Sequence, residues 1–209
     1  MRLKFFITTV LVFSSILVKS QTTWNGSVNS NWNDAANWSS GIPNTTTAAI
    51  IPAAGTVTNW PKLNVDANVA ALTMGEGSSM DVNGFFVTIY SGGLNLNGGM
   101  APITITNSST VTNIAFTSAT GSTGNWLIGN VIFMDQVVYS IMGTGIFYDG
   151  STGGATVYKK DVSYIIQNTG NAFICTYFPN VYEGNVGVIR NAATSTSITN
   201  IFVSGHAGI

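Results

Sequence analysis

Leu72-Thr73-Met74-Gly75-Glu76-Gly77-Ser78-Ser79-Met80-Asp81-Val82-Asn83-Gly84-Phe85-Phe86-Val87-Thr88-Ile89-Tyr90-Ser91-Gly92-Gly93-Leu94-Asn95-Leu96 is the stretch that decides the fold. Apolar residues two apart point to one face of a strand. Such pairs occur at Leu72/Met74, Met80/Val82, Val87/Ile89 and Leu94/Leu96, and between them sit turn formers: Gly75 to Ser78, Asn83-Gly84, Ser91-Gly92-Gly93. The pattern continues through Ile103/Ile105, Ile114/Phe116, Trp126/Ile128 and Val131/Phe133.

From Leu72 to Ile103 the pairs start seven to nine residues apart. Strands this short do not build an up-and-down barrel or an immunoglobulin sandwich, whose strands run about five residues or more. Three short strands and three turns instead make a coil of roughly 22 to 27 residues, the size of a solenoid repeat. The spacing therefore predicts an all-β, right-handed parallel β-helix. A two-sheet β-sandwich is the alternative, because evenly spaced strands also fit it and Asn83-Gly84 and Asn97-Gly98 are acceptable hairpin turns.

Composition agrees with a β-rich chain. Beyond Ser20, Asn, Thr and Ser make up 63 of 189 residues, while Leu, Glu and Lys, the ready helix formers, are scarce. Asn, Ser and Thr suit coil corners because their side chains satisfy nearby backbone groups. Further strands are expected at Thr156 to Tyr158, Val162 to Ile166, Phe173 to Tyr177 and Ile198 to Val203, and a loop at Ala192 to Thr199. Two weak echoes in this half, Gly129-Asn130-Val131 with Gly184-Asn185-Val186 and Tyr148-Asp149-Gly150 with Tyr182-Glu183-Gly184, read as coil corners.

Arg2 and Lys4, an apolar run from Phe5 to Val18 and a small residue at Ser20 read as a signal peptide over 1–20. The run is shorter than the roughly twenty residues needed to span a bilayer, so no membrane span is expected once it is removed. Residues 21–60, rich in Trp and Asn, then read as an N-terminal cap, and 61–209 as β-helix coils left incomplete at the C-terminus. There, only Ser204 to Ile209 follow the apolar strand containing Phe202, which predicts end-to-end self-association.

Charged residues are 7% of the chain. Four basic residues against eight acids remain after the leader, a net charge of −4. Nucleic acid is excluded as a partner, since phosphate neutralisation needs clustered Lys or Arg and only Lys159-Lys160 are adjacent. The lone Cys175 permits no internal disulfide.

The most specific segment runs from Thr23-Trp24-Asn25-Gly26 through Asn31-Trp32-Asn33 and Asn37-Trp38-Ser39 to Gly41-Ile42-Pro43. Its order, followed by rungs such as Leu72-Thr73-Met74 and Met80-Asp81-Val82, resembles the opening module of large secreted and surface adhesin-like β-helix proteins of Bacteroidetes. The resemblance covers residues 21 to 105 well and the rest loosely. It implies export from a Gram-negative cell, with the chain secreted or on the outer surface. Such proteins end in a sorting domain for type IX secretion, for which this chain shows no pattern.

Trp24, Trp32, Trp38 and Trp60 admit two uses. Exposed aromatic planes stack on sugar rings, which would make them a glycan-binding platform; buried, they would cover the open apolar end of the first coil. No catalytic set emerges. Glycan-cleaving β-helix enzymes need acids grouped on one face, whereas Asp34, Asp66, Glu76, Asp81, Asp135, Asp149, Asp161 and Glu183 are dispersed. His206 in Gly205-His206-Ala207 stands without paired acids. Asp149 to Gly154 lacks the alternating carboxylates of a calcium loop, and no Cys/His cluster offers a zinc site. The expectation is a non-enzymatic exported structural module without cofactor or metal. The alternative is a carbohydrate-binding or polysaccharide-active β-helix protein, and a surface glycan or another protein is the expected partner.

Overall fold

The computed structural model describes residues 20–190 apart from 152, 168, 169 and 176, and the backbone of three strands beyond 190. Residues 1–19 of the expected signal peptide, His206 and the side chain of Phe202 lie outside the described residues.

Every pairing between strands is parallel. Parallel neighbours cannot be joined by a tight hairpin, so the sandwich alternative falls and the chain is a parallel β-helix of about seven turns. Asn83-Gly84 is a corner between two faces rather than a hairpin. Asn83 takes a positive φ of 47° there, and its side-chain amide donates to the Leu63 carbonyl of the preceding coil at 2.9 Å.

Three faces run along the axis. The first contains 67–69, 87–89, Ile114–Ser118, Val137–Ile141, Val162–Ile166 and Val186–Arg190. The second contains Ser20–Thr23, Thr47–Ile51, 71–74, 93–97, Trp126–Gly129, Phe147–Asp149, Ala172–Ile174 and Thr196–Ile198. The third contains Ser79–Asp81, Ile103–Thr106, Val131–Phe133, Val157–Tyr158, Val181–Tyr182 and Phe202–Val203. Thr196–Ile198 lies inside the stretch expected to be loop: its Ser and Thr residues continue a ladder set by Ala172–Ile174.

Ser91-Gly92-Gly93, read from sequence as a turn, lies within the unbroken strand Val87–Asn97, which bends from the first face to the second. Glycine is required at the bend. Gly93 has φ +85°, and a Cβ there would stand 2.2 Å from the Asn125 carbonyl oxygen.

Coil length varies more than the sequence suggested. Val137 pairs with Val162 and Val162 with Val186, but Leu94 pairs with Trp126, a step of 32 residues. The surplus is taken up outside the rungs, at the corners around 98–102, 107–113 and 119–125.

All sixteen residues of the apolar pairs from Leu72 to Phe133 are at most 2% exposed. Like sits on like inside. Phe133, Tyr158 and Tyr182 stack along the third face at 5.1 Å with rings within 7° of parallel, and Phe116, Tyr139 and Tyr164 stack more loosely along the first, at 6.2 and 5.4 Å with rings 21° and 18° apart. Rung spacing near 4.8 Å imposes this.

Candidate functional site

The tryptophan segment is an end cluster turned inward. Trp24, Trp32 and Trp38 are 1%, 2% and 4% exposed, and Trp38 meets both others edge to face, with ring centroids 5.1 and 4.8 Å away. Sugar stacking needs an open ring face; these three have none. Trp60 is half-buried against the same core.

The small residues around the rings have defined tasks. Trp24 donates its indole N–H to the Asn59 carbonyl at 2.7 Å, and the Asn59 amide donates to the Gly26 carbonyl at 2.8 Å. Asn37 is fully buried; its Oδ1 accepts from the backbone N–H groups of Val28 and Asn29, and its Nδ2 donates to Asn29 Oδ1 and to the Asn31 carbonyl. Asp34 caps the 3-10 turn Ala35–Asn37 by accepting from Ala36 N–H. Beside the cluster a groove of about 420 Å³ is lined by Asn29, Ser30, Asn31, Lys62, Leu63, Asn64 and Asn83, with no aromatic wall.

The acids are spread over the coils as fasteners. Asp66 accepts from Phe86 N–H, and Asp161 accepts from the backbone and side-chain amides of Asn185 one coil on. Lys159 pairs with Glu183, and Lys160 with Asp135. Asp81 accepts from Asn83 N–H and Ser108 N–H and pairs with Lys62 at 3.3 Å. Burial, the largest single influence on its carboxyl, pushes its pKa up, yet these bonds together hold it below the ordinary value.

Asp149 is the exception. It occupies the inward ladder Ile51, Met74, Leu96, Ile128, Asp149, Ile174 and is fully buried. Its Oδ2 accepts from Tyr158 OH at 2.5 Å and from Tyr164 OH. Tyr158 contacts the Tyr139 hydroxyl at 3.2 Å, and Tyr164 the Tyr182 hydroxyl at 3.1 Å. Tyr182 also meets Cys175 Sγ and the Asn180 amide. With its carboxyl inside, Asp149 does not present the first oxygen that a calcium loop would use.

Sequence reasoning treated Tyr148-Asp149-Gly150 and Tyr182-Glu183-Gly184 as equivalent corners. Their phases are opposite: Tyr148 points out and Asp149 in, whereas Tyr182 points in and Glu183 is exposed. The period of two running from inward Phe147 was the available signal.

Outside, the second face carries aromatics that sequence reasoning did not single out. Tyr148 and Phe173, on adjacent rungs, stack at 4.9 Å and 11°, Tyr177 lies 6.4 Å from Tyr148, and Tyr177 and Phe178 are 65% and 39% exposed. Among the described residues no three His, Cys, Asp or Glu side chains gather to hold a metal ion, and no helix is long and apolar enough to cross a membrane. Comparisons with family models, with curated proteins and with solved structures returned no match.

Proposed function

We propose that the chain is a non-enzymatic structural module of an exported, surface-associated protein of a Gram-negative bacterium, a β-helical rod that spaces or presents other parts of a surface assembly. One observation carries this reading: seven of the eight acids, Asp34, Asp66, Asp81, Asp135, Asp149, Asp161 and Glu183, are engaged in holding turns, adjacent coils or the core. General acid–base catalysis needs a carboxyl free to meet substrate; only Glu76 makes no such bond. The signal-peptide pattern over 1–20, the low content of charged residues, 7%, and the resemblance of residues 21 to 105 to adhesin-like modules support the exported setting.

The test is a turnover screen of the purified protein against acidic and neutral polysaccharides, by reducing-end and unsaturated-product assays. No turnover is expected. Cleavage abolished by Glu76→Gln would overturn the reading.

A second reading rests on the outer aromatics. Tyr148, Phe173 and Tyr177 would bind a glycan chain lying along the second face, in the role the sequence had offered to the tryptophans. Glycan-array binding lost in Tyr177→Ala but kept in Trp60→Ala would favour it.

A further inference from the structure

The inward ladder that holds Asp149 is aliphatic at every other described rung, so the carboxyl needs a reason to be there. Burying an ionised carboxylate costs several kcal/mol unless it is paired and fully hydrogen-bonded. This one is neither. The groups that act on it are the phenols of Tyr158 and Tyr164, the Asn180 side chain and the Gly150 backbone N–H, none of which is positively charged. Lys62, Lys159 and Lys160 are engaged with carboxylates at the surface.

The hydrogen bonds are also lopsided. Both phenol donors go to Oδ2, and among the described residues none meets Oδ1 in hydrogen-bond geometry, although the Gly150 N–H and the Asn180 side chain lie close enough to act on the carboxyl. Asn180, equally buried, has its own Oδ1 unpartnered. Its Nδ2 is engaged with Tyr182, and its side chain lies near enough to act on the Asp149 carboxyl. Two buried acceptors on neighbouring side chains lack a donor. One proton between them satisfies both.

We propose that Asp149 is carried in the folded protein as the neutral carboxylic acid, its proton on Oδ1 and directed to Asn180 Oδ1, so that the coils from Phe147 to Tyr182 form an acid-stabilised element that loosens in alkali. The elements packed around it present Tyr139 from Val137–Ile141, Tyr158 from Val157–Tyr158, Tyr164 from Val162–Ile166 and Tyr182 from Val181–Tyr182, with Cys175 after Ala172–Ile174. None of these supplies a positive charge. The direction of the titration agrees: burial, the largest influence, raises the carboxyl above its ordinary value against the opposing hydrogen bonds.

The sign of the pH dependence follows. A carboxyl whose folded pKa exceeds its unfolded one contributes stability in full below the unfolded value, about 3.9, and loses it as pH rises to the folded value. The four phenols, also raised, add a separate loss that begins near their unfolded value of about 10. Burial also pushes the Cys175 thiol up to about 11, which adds a loss beginning near its unfolded value of about 8.5, so measurements between about pH 5 and 7.5 separate the carboxyl from the thiol and the phenols.

The test pairs Asp149→Asn with infrared spectroscopy of the whole chain. Asparagine reproduces the neutral acid: its oxygen accepts from both phenols and its amide donates to Asn180. Urea unfolding should show wild-type stability falling with pH over that window, and the variant holding steady with undiminished stability at its upper end. The wild-type spectrum at neutral pH should carry the carbonyl band of a protonated, buried carboxylic acid, shifted by isotope labelling of aspartate. Absence of that band, or a variant that folds but is less stable throughout the window, overturns the proposal. If the variant does not fold, the labelled wild-type band alone decides.

Discussion

Trp38 stands edge-on to Trp32 with their planes at 81°, and its indole N–H donates to the Trp32 carbonyl at 2.8 Å. One side chain thus fills the end of the solenoid and ties down the turn that supplies the neighbouring ring. Trp38→Ala should cost on the order of 3–5 kcal/mol in urea unfolding. Trp38→Phe keeps most of the volume but loses the donor, and should cost about 1–3 kcal/mol. Wild-type stability in Trp38→Ala would show that the cluster contributes nothing to the fold.

Gly26 and Gly41 both take positive φ, 54° and 82°, but only Gly26 is hemmed in. A Cβ at Gly26 would stand 2.2 Å from the Asn59 carbonyl oxygen and 2.7 Å from the Trp24 indole nitrogen, whereas nothing lies within 4 Å at Gly41. Gly41→Ala should therefore cost only the backbone strain, about 1–2 kcal/mol, and Gly26→Ala clearly more. Equal melting temperatures for the two variants would contradict this ordering.

At acid pH the sensitive group is Asp81. Its folded pKa is depressed, so its contribution is present above the unfolded value of about 3.9 and lost as pH falls through the folded one. Asp81→Asn should flatten the acid limb of the stability profile. Lys62→Ala, removing a half-exposed partner, should change stability by about 1 kcal/mol or less. An unchanged acid limb in Asp81→Asn would shift the acid response to other carboxyls.

Thermal unfolding should be indifferent to chelation. The coils are held by packed ladders and corner hydrogen bonds, and among the described residues no metal-binding cluster is present. Circular dichroism melts with and without EDTA should superimpose; a lower midpoint with EDTA would reveal a bound cation.

The rod was legible because its signal is local. Residues such as Leu94 and Leu96 alternate with polar neighbours, and every pair so identified points inward. What escaped were long-range properties. Nothing local in Ser91-Gly92-Gly93 distinguishes a turn from a bend inside a strand; the Gly124-Asn125 backbone pressed against Gly93 decides it. Trp24, Trp32 and Trp38 carry the same residue type whether they face sugar or core, and burial comes only with Leu63 and Ile51 packed in the same core. Asp149 looked like a corner acid because Gly150 follows it, but the strand phase set by Phe147 turns it inward, where Tyr158 and Tyr164 from the other two faces receive it.

Export is the central functional claim, and the fate of the leader tests it most directly. The full 209-residue chain should be expressed in a Bacteroidetes host, and its location and N-terminus determined by protease accessibility of intact cells and by N-terminal mass spectrometry. The expected result is a chain beginning at Gln21, found in the medium or cleaved by external protease. A chain retaining Met1 and protected inside the cell would contradict it.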